Sequence, residues 1–530
     1  MTTLAGTWPM ARLVLRRNRV WFAVWLTALV ALPVLGVPSL DALYPTQADI
    51  DTYARTAGSS PAAVAMNGPG HAVHTLGGIV VFEMGGYVAI AVALMNVFAV
   101  GRNTRAEEEL GRVELIRSNA VGRHATLAGC LLVVFAADVV LGTAVAAGMV
   151  AFGLPSAGSA AFGASLTAIG VVFAALTALT AQVSEYARGA YAIAGAAVGA
   201  SYVVRAAGDT GDGTFSWLSP IGWAQATRPF ADSRWWPLLI PAGAAVLLVA
   251  AAVLVESRRD HGAGVVRPRP GSVTASRGLL NQVGFTLRLQ RGGLIGWSIG
   301  VFLGGLAFGS VARETQDMMA ENPGVRELFD PSGRLGLTDL FLGMVLLMLA
   351  MAIAGYVVAS TLRMRAEEYA GHAEPLLAGA LSRRRWTLSR LAVPAAAAVA
   401  LLALAGLGVG IAHAVLTDDP MEVPRLVGAA VAHTPAVWLL AGIAMLLFGV
   451  TPRAAPLTWL VLAGSVVASL LGSVFRFPGW LVDLSPFERT PQLPGGDLTA
   501  TPLVVMAVLA IALAAAGVSG FRRRDLATSG

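Results

Sequence analysis

Twelve apolar runs punctuate this chain of 530 residues, and no other feature narrows its fold as far. A helix needs roughly 20 consecutive apolar residues to cross the hydrocarbon of a bilayer. Runs of that kind lie near 20–37, 76–100, 126–152, 160–183, 190–207, 237–256, 292–310, 339–362, 391–416, 425–450, 454–474 and 499–520. They are rich in Ala, Gly, Val and Leu and lack the strict alternation of barrel strands, so they predict helices. At 56% apolar and 13% charged residues, the chain is too greasy for a soluble protein of this length. The expected fold class is an all-α polytopic membrane protein with twelve transmembrane helices. The first run lacks a clear small-residue cleavage site and many more follow it, so it is expected to stay in place.

Arginine sets the expected orientation. All 37 basic residues are Arg, and most cluster before the first run, in 101–125, in 257–291, in 363–390 and at Arg522 to Arg524. The positive-inside rule then puts both termini of this multi-pass membrane protein in the cytoplasm. Cys130 has no partner for an internal disulfide and is expected to pack as a small apolar residue. The segment "TWPMARLVLRRNRVWF" mixes apolar and basic residues and is expected to lie in the inner interface before turning into the first span.

Between the second and third runs stands "RAEEELGRVELIRSNAVGRHA", and 260 positions later "RAEEYAGHAEPLLAGALSRRR" repeats much of it. Arg105, Ala106, Glu107, Glu108, Gly111, Glu114, Ala120 and Arg123 match Arg365, Ala366, Glu367, Glu368, Gly371, Glu374, Ala380 and Arg383. Fainter echoes keep the same order: "LRRNRVWFAVW" with "LRLQRGGLIGW", "LSPIGW" with "LSPFER", "SRRD" with "RRRD". Two homologous halves of six spans follow, 1–256 and 285–530, joined by a cytoplasmic linker at 257–284, a parallel duplication of the kind transporters use. Read as one helix, the segment puts Glu107, Gly111 and Glu114 on one stripe and Leu110 and Val113 on an apolar face, with Glu108 and Arg112 as an i,i+4 pair. A charge bias alone would not keep the same acidic stripe twice. Its retention points to one cytoplasmic partner docking under each half.

Those two segments, the "ARLVLRRNRVWF" start and "WLSPIGWAQATRPFADSRWWPLL" resemble the permease subunits of ATP-binding-cassette exporters. The similarity is to the fused, double-length permeases of the polyketide-antibiotic and multidrug exporter family. The second half departs at "LSPFERTPQLP", which lacks the Gly-Trp pair. The resemblance implies a type-V-exporter-like fold and outward movement of an amphipathic or hydrophobic antibiotic, drug or lipid. It also implies that the segment after each second span is a coupling helix. That assigns ATPase coupling to Glu107, Glu108, Gly111 and Glu114 and to Glu367, Glu368, Gly371 and Glu374. The implied partners are two copies of a cytoplasmic ATPase subunit, which would bind ATP and Mg. No cofactor is expected in this chain, and no catalytic residue. A phosphate-binding loop needs Lys after its Gly-rich turn, and the chain has none.

Glu83 and Asp138 are ionisable residues inside predicted spans, where burial is costly and usually functional. Neither has a counterpart in the other half, and both are candidates for the substrate pathway. They also support an alternative reading, a proton-coupled secondary transporter of twelve spans. His71 and His74 in "HAVH" have a conceivable metal spacing but no third ligand. No nucleophile motif such as G-x-S-x-G occurs, and no basic stripe on a soluble domain suits nucleic acid. His413 and His433 read as satisfied polar residues. Gly296, Gly300 and Gly304, and Gly406 with Gly410, give G-x-x-x-G steps that predict close helix contacts. Trp235 and Trp236 suit an aromatic belt at the outer interface.

Overall fold

The computed structural model describes residues 3–56, 61–118, 121–259, 264–265, 273–310, 312, 336–471 and 478–526. The expected outer segment 311–338 falls largely outside these residues, as do 260–263 and 266–272 of the linker and Ala120. The described residues contain helices and turns and no strand, as uninterrupted runs of apolar, helix-compatible side chains require. Two compact units are present, Met1–Gly271 and Ser272–Gly530.

The first unit holds α1 (Thr7–Leu43), α4 (Leu76–Asn103), α7 (Ala125–Ala151), α8 (Ser156–Val183), α9 (Ala187–Asp209) and α11 (Leu239–Arg258). Each is long and apolar enough to cross a membrane. α8 packs against α4, α7, α9 and α11 and forms the middle of the unit. Its core draws Val88 and Val92 from α4, Leu141 and Val145 from α7, and Phe162, Leu166 and Ile169 from α8. Short helices sit at the end opposite the arginines: α2 (Gln47–Thr56), α3 (Pro61–Asn67) and α10 (Pro220–Gln225). At the arginine-rich end, α5 (Arg105–Glu109) and α6 (Arg112–Arg117) follow α4.

The second unit holds α12 (Gln282–Ser310), α13 (Leu337–Tyr369), α14 (Ala373–Leu377), α15 (Arg383–Thr417), α16 (Glu422–Val431), α17 (Thr434–Val450), α18 (Thr458–Leu471), α19 (Gly479–Val482) and α20 (Ala500–Arg523). Among the described residues, eleven helices of the chain are long and apolar enough to span. The remaining run, 454–474, is described as the shorter helix α18, and its last residues fall outside the description.

Two expectations need correction. α1 runs unbroken from Thr7 through the first apolar run, so the basic start does not turn at the interface. At 37 residues it is about 55 Å long, well beyond a bilayer core, and its basic turns extend past the hydrocarbon without a bend. Gly296 and Gly300 have no neighbour within 4 Å of an added Cβ; α12 instead meets α15 through Gly305, where a Cβ would lie 2.5 Å from the Ala405 carbonyl, and Gly408, 2.4 Å from that of Phe302. Gly406 and Gly410 do make close contacts, against α16.

Candidate functional site

Each repeated charged segment begins as a continuation of the second span and then breaks. Gly111 has φ 69° and Gly371 φ 72°, left-handed values that glycine adopts without Cβ strain. The Gly111 amide donates to the Glu108 carbonyl and the Gly371 amide to that of Glu368, both at 3.0 Å, a helix-ending turn. The single helix read from the sequence is therefore corrected to helix, Gly turn, short helix, and Glu107, Gly111 and Glu114 do not form one stripe.

Four of the six candidate carboxylates point into their own unit. In the first unit, Glu107 meets Arg17 of α1 at 2.7 Å, and Arg17 also donates to Asn103. Asn18 donates to the same Asn103 oxygen at 2.8 Å. Arg112 reaches Glu107 at 3.4 Å, so the expected Glu108–Arg112 pair is replaced by Glu107–Arg112. Glu108 is gripped by Arg105 at 2.5 Å and by Arg259, just past α11, through both carboxylate oxygens at 2.6 and 2.9 Å. Arg259 completes its fork on Gln182, at 2.7 Å. Arg123 donates to the carbonyls of Glu256 and Arg259, where the end of α11 leaves oxygens unsatisfied.

The second unit builds the same latch. Glu368 accepts two hydrogen bonds from Arg524, at 2.6 and 2.7 Å, and Arg383 donates to the carbonyls of Phe521 and Arg524. Arg524 lies over the rings of Phe448 and Phe521 where Arg259 had Gln182. Glu367 meets Arg390 of α15 at 2.8 Å. Two-pronged charge-assisted pairs of this kind fix geometry as well as energy. Arg259, Arg524, Arg17 and Arg390 were not among the candidates drawn from the sequence. The echo "SRRD" with "RRRD" carried the signal for the first two, since it places Arg259 and Arg524 in register.

Outside the latch, the tips of the segments are exposed. Leu110 is 61% and Tyr369 41% accessible, and Glu114 and Glu374 face solvent beside Gly111 and Gly371.

Glu83 and Asp138 are not brought together. Glu83, near the start of α4, accepts a hydrogen bond from the hydroxyl of Tyr53 in α2, within a cluster that includes Phe82, Tyr44 and Val73. Burial, reinforced by the Glu83 carboxylate, pushes the Tyr53 hydroxyl up, so it stays a protonated donor. Asp138 is fully buried in α7 and accepts from Asn96 of α4 at 2.8 Å, against Gly170 of α8. Asn96 lies about 20 Å further along α4 than Glu83. Nearby, a cavity of about 50 Å³ between α4, α8 and α10 is lined by Phe82, Phe162, Ile221, Gln225, Arg228 and His71, and includes neither acid. Burial and Arg228 lower the His71 pKa, and His74 pairs with Asp51 at 3.4 Å. Among the described residues no group of three His, Cys, Asp or Glu could hold a metal ion. The "LSPIGW" loop keeps Gly222 because a Cβ there would lie 2.0 Å from the Ser216 carbonyl; in the second unit Ser485 holds the matching turn with Phe487 and Glu488 after it.

Many long apolar helices, with latched charged segments at one end, define a polytopic α-helical membrane protein. Residues 279–522 match the family model described as multidrug efflux system permease Rv1217c, C-terminal domain. The chain is also 40% identical over 524 residues to the multidrug efflux system permease protein Rv1217c of Mycobacterium tuberculosis, covering 98% of this chain and 95% of that one. The chain belongs to this family of multidrug efflux permeases, and the resemblance drawn from its sequence holds. It is a multi-pass efflux permease.

Proposed function

We propose that this permease is driven by ATP hydrolysed in a separate subunit, two copies of which dock at the arginine-rich ends of the two units and move an amphipathic or hydrophobic cargo outward. ATP and Mg belong to that partner, and this chain holds no cofactor. Both termini lie in the cytoplasm and the membrane is the bacterial plasma membrane. The observation that supports this best is the paired latch: each charged segment is fixed to the end of its unit's last span by the same Glu–Arg clamp, while a Gly turn with Glu114 or Glu374 beside it stays exposed. A force applied to such a tip reaches the spans through charge-assisted contacts instead of being lost in a loose loop. The inward carboxylates Glu107, Glu108, Glu367 and Glu368 transmit; Glu114 and Glu374 receive.

Co-purification with candidate ATPase subunits, followed by ATPase and transport assays in vesicles, tests the reading. Glu114→Arg with Glu374→Arg is expected to keep the folded permease and to weaken ATPase association at least tenfold. Unaltered association and transport would reject the docking assignment. Transport by the permease alone, driven by a proton gradient, would reject the ATP-driven reading in favour of a secondary transporter.

A further inference from the structure

The two units differ where the third span begins. In the first, the stretch ahead of α1 packs against the start of α7. The Gly122 amide donates to the Ala5 carbonyl at 2.8 Å and the His124 amide to that of Thr3 at 3.0 Å. A Cβ on Gly6 would lie 3.5 Å from Val121, and one on Gly129 would lie 2.9 Å from Met10 and Ala11. Among the described residues these contacts fill the place. The repeat offset places Leu381 at Val121 and Ser389 at Gly129. Around those residues the second unit has an open groove of about 970 Å³, bounded by the start of α12, the end of α14 and the start of α15. Leu280, Leu376, Leu381 and Leu388 form apolar walls, and Arg385 and Gln282 lie among them.

We propose that this groove binds one anionic phospholipid of the leaflet that meets the arginine-rich end, its acyl chains against the leucines and its phosphate at Arg385. Three observations argue for that occupant. The walls combine leucines with a cation and no carboxylate, which suits an anion carrying apolar chains. The groove lies at the arginine-rich end of its unit, beside Arg383 and Arg384, and basic pockets between spans at such an end recognise lipid headgroups. A buried amide oxygen of Gln282 lacks a hydrogen-bond partner at the groove, and a headgroup hydroxyl would satisfy it. The size falls within the range of lipid and small-molecule sites. Its first-unit equivalent is filled by the chain itself, so one lipid per permease is expected.

The test uses the purified full chain in nanodiscs that mix phosphatidylglycerol with phosphatidylcholine, with a phosphatidylglycerol carrying a photoreactive acyl chain. Crosslinks are expected at residues 376–392 and not at 116–132. Arg385→Gln should lower phosphatidylglycerol labelling about fivefold, Arg385→Lys should keep it, and Leu388→Trp should abolish it by filling the groove. Native mass spectrometry and thermal unfolding of each variant report that the fold persists; a variant that fails them is replaced by Leu381→Trp. Equal labelling of the two regions, or labelling unchanged by Arg385→Gln and by either Trp substitution, would overturn the proposal. So would equal labelling by a photoreactive phosphatidylcholine. All readings are taken without an ATPase, so they stand or fall apart from the ATP-driven mechanism.

Discussion

Glu107 and Glu367 occupy the same place in the two charged segments, yet their arginines come from different helices. Glu107 is met by Arg17 of α1, and Glu367 by Arg390 of α15. Aligning "LRRNRV" with "LRLQRG" puts Leu289 at the Arg17 position, and the repeat offset puts Cys130 at the Arg390 position. The arginine has been traded between neighbouring helices while the carboxylate stayed. The clamp on Glu108 and Glu368 shows the opposite pattern, with Arg259 and Arg524 in register and the same two-pronged grip. Neutralising a half-buried carboxylate can be done from any adjacent helix. Tying the segment to the end of the last span can be done only from that end, so there both partners are fixed.

The clamp should give the largest effect, and an unequal one. Glu368 is 1% accessible at its side chain and is the one carboxylate paired with Arg524 among the described residues. Glu368→Ala leaves a largely buried guanidinium without its counter-charge and should cost about 3 kcal/mol. Glu108→Ala should cost more, about 4–5 kcal/mol, because it strands two guanidinium groups, Arg105 and Arg259, at 1% and 4% side-chain accessibility. Thermal unfolding of both variants in detergent checks the order. Equal losses would show that Arg105 needs no counter-charge from Glu108 while it holds the Glu185 carbonyl.

The traded arginine can be traded back. Arg17→Leu should destabilise the first unit by about 2 kcal/mol by leaving Glu107 only its longer contact to Arg112, and Cys130→Arg alone should also destabilise, since that site is fully buried. Together they reproduce the arrangement of the second unit and should recover at least half of the loss, a coupling visible in a double-mutant cycle. Additive losses would mean that Arg390 depends on more of α15 than its position.

The smallest effect should fall equally on the two units. Gly111→Ala and Gly371→Ala force a side chain into left-handed backbone, and nothing lies within 4 Å of either added Cβ. Each should cost about 1 kcal/mol from backbone strain alone. A larger loss at one turn, by the same unfolding assay, would reveal a packing role that the open surroundings do not provide.

Particular residues mark the boundary between what sequence and tertiary structure decide. The helical, membrane-spanning character of the chain was legible because apolar runs of span length leave the backbone no other way to satisfy its own polar groups in lipid. The repeat was legible because Arg105, Glu108, Gly111 and Arg123 are polar or Gly in a greasy chain, where coincidence is rare. Their purpose was not. A helical wheel assumed one continuous helix and turned Glu107 outward, whereas Gly111 ends that helix and the carboxylates close inward on arginines 90 and 151 positions away. Likewise, Gly296 and Gly305 are indistinguishable as helix-contact glycines until the register of α12 on α15 is known. Glu83 gave no sign of its partner either, because Tyr53 reaches it from a separate outer helix. Local pattern fixes which segments are helices, since that choice depends on neighbours in the chain. Which charges meet depends on helix register and rotation, and these are settled only when whole helices pack.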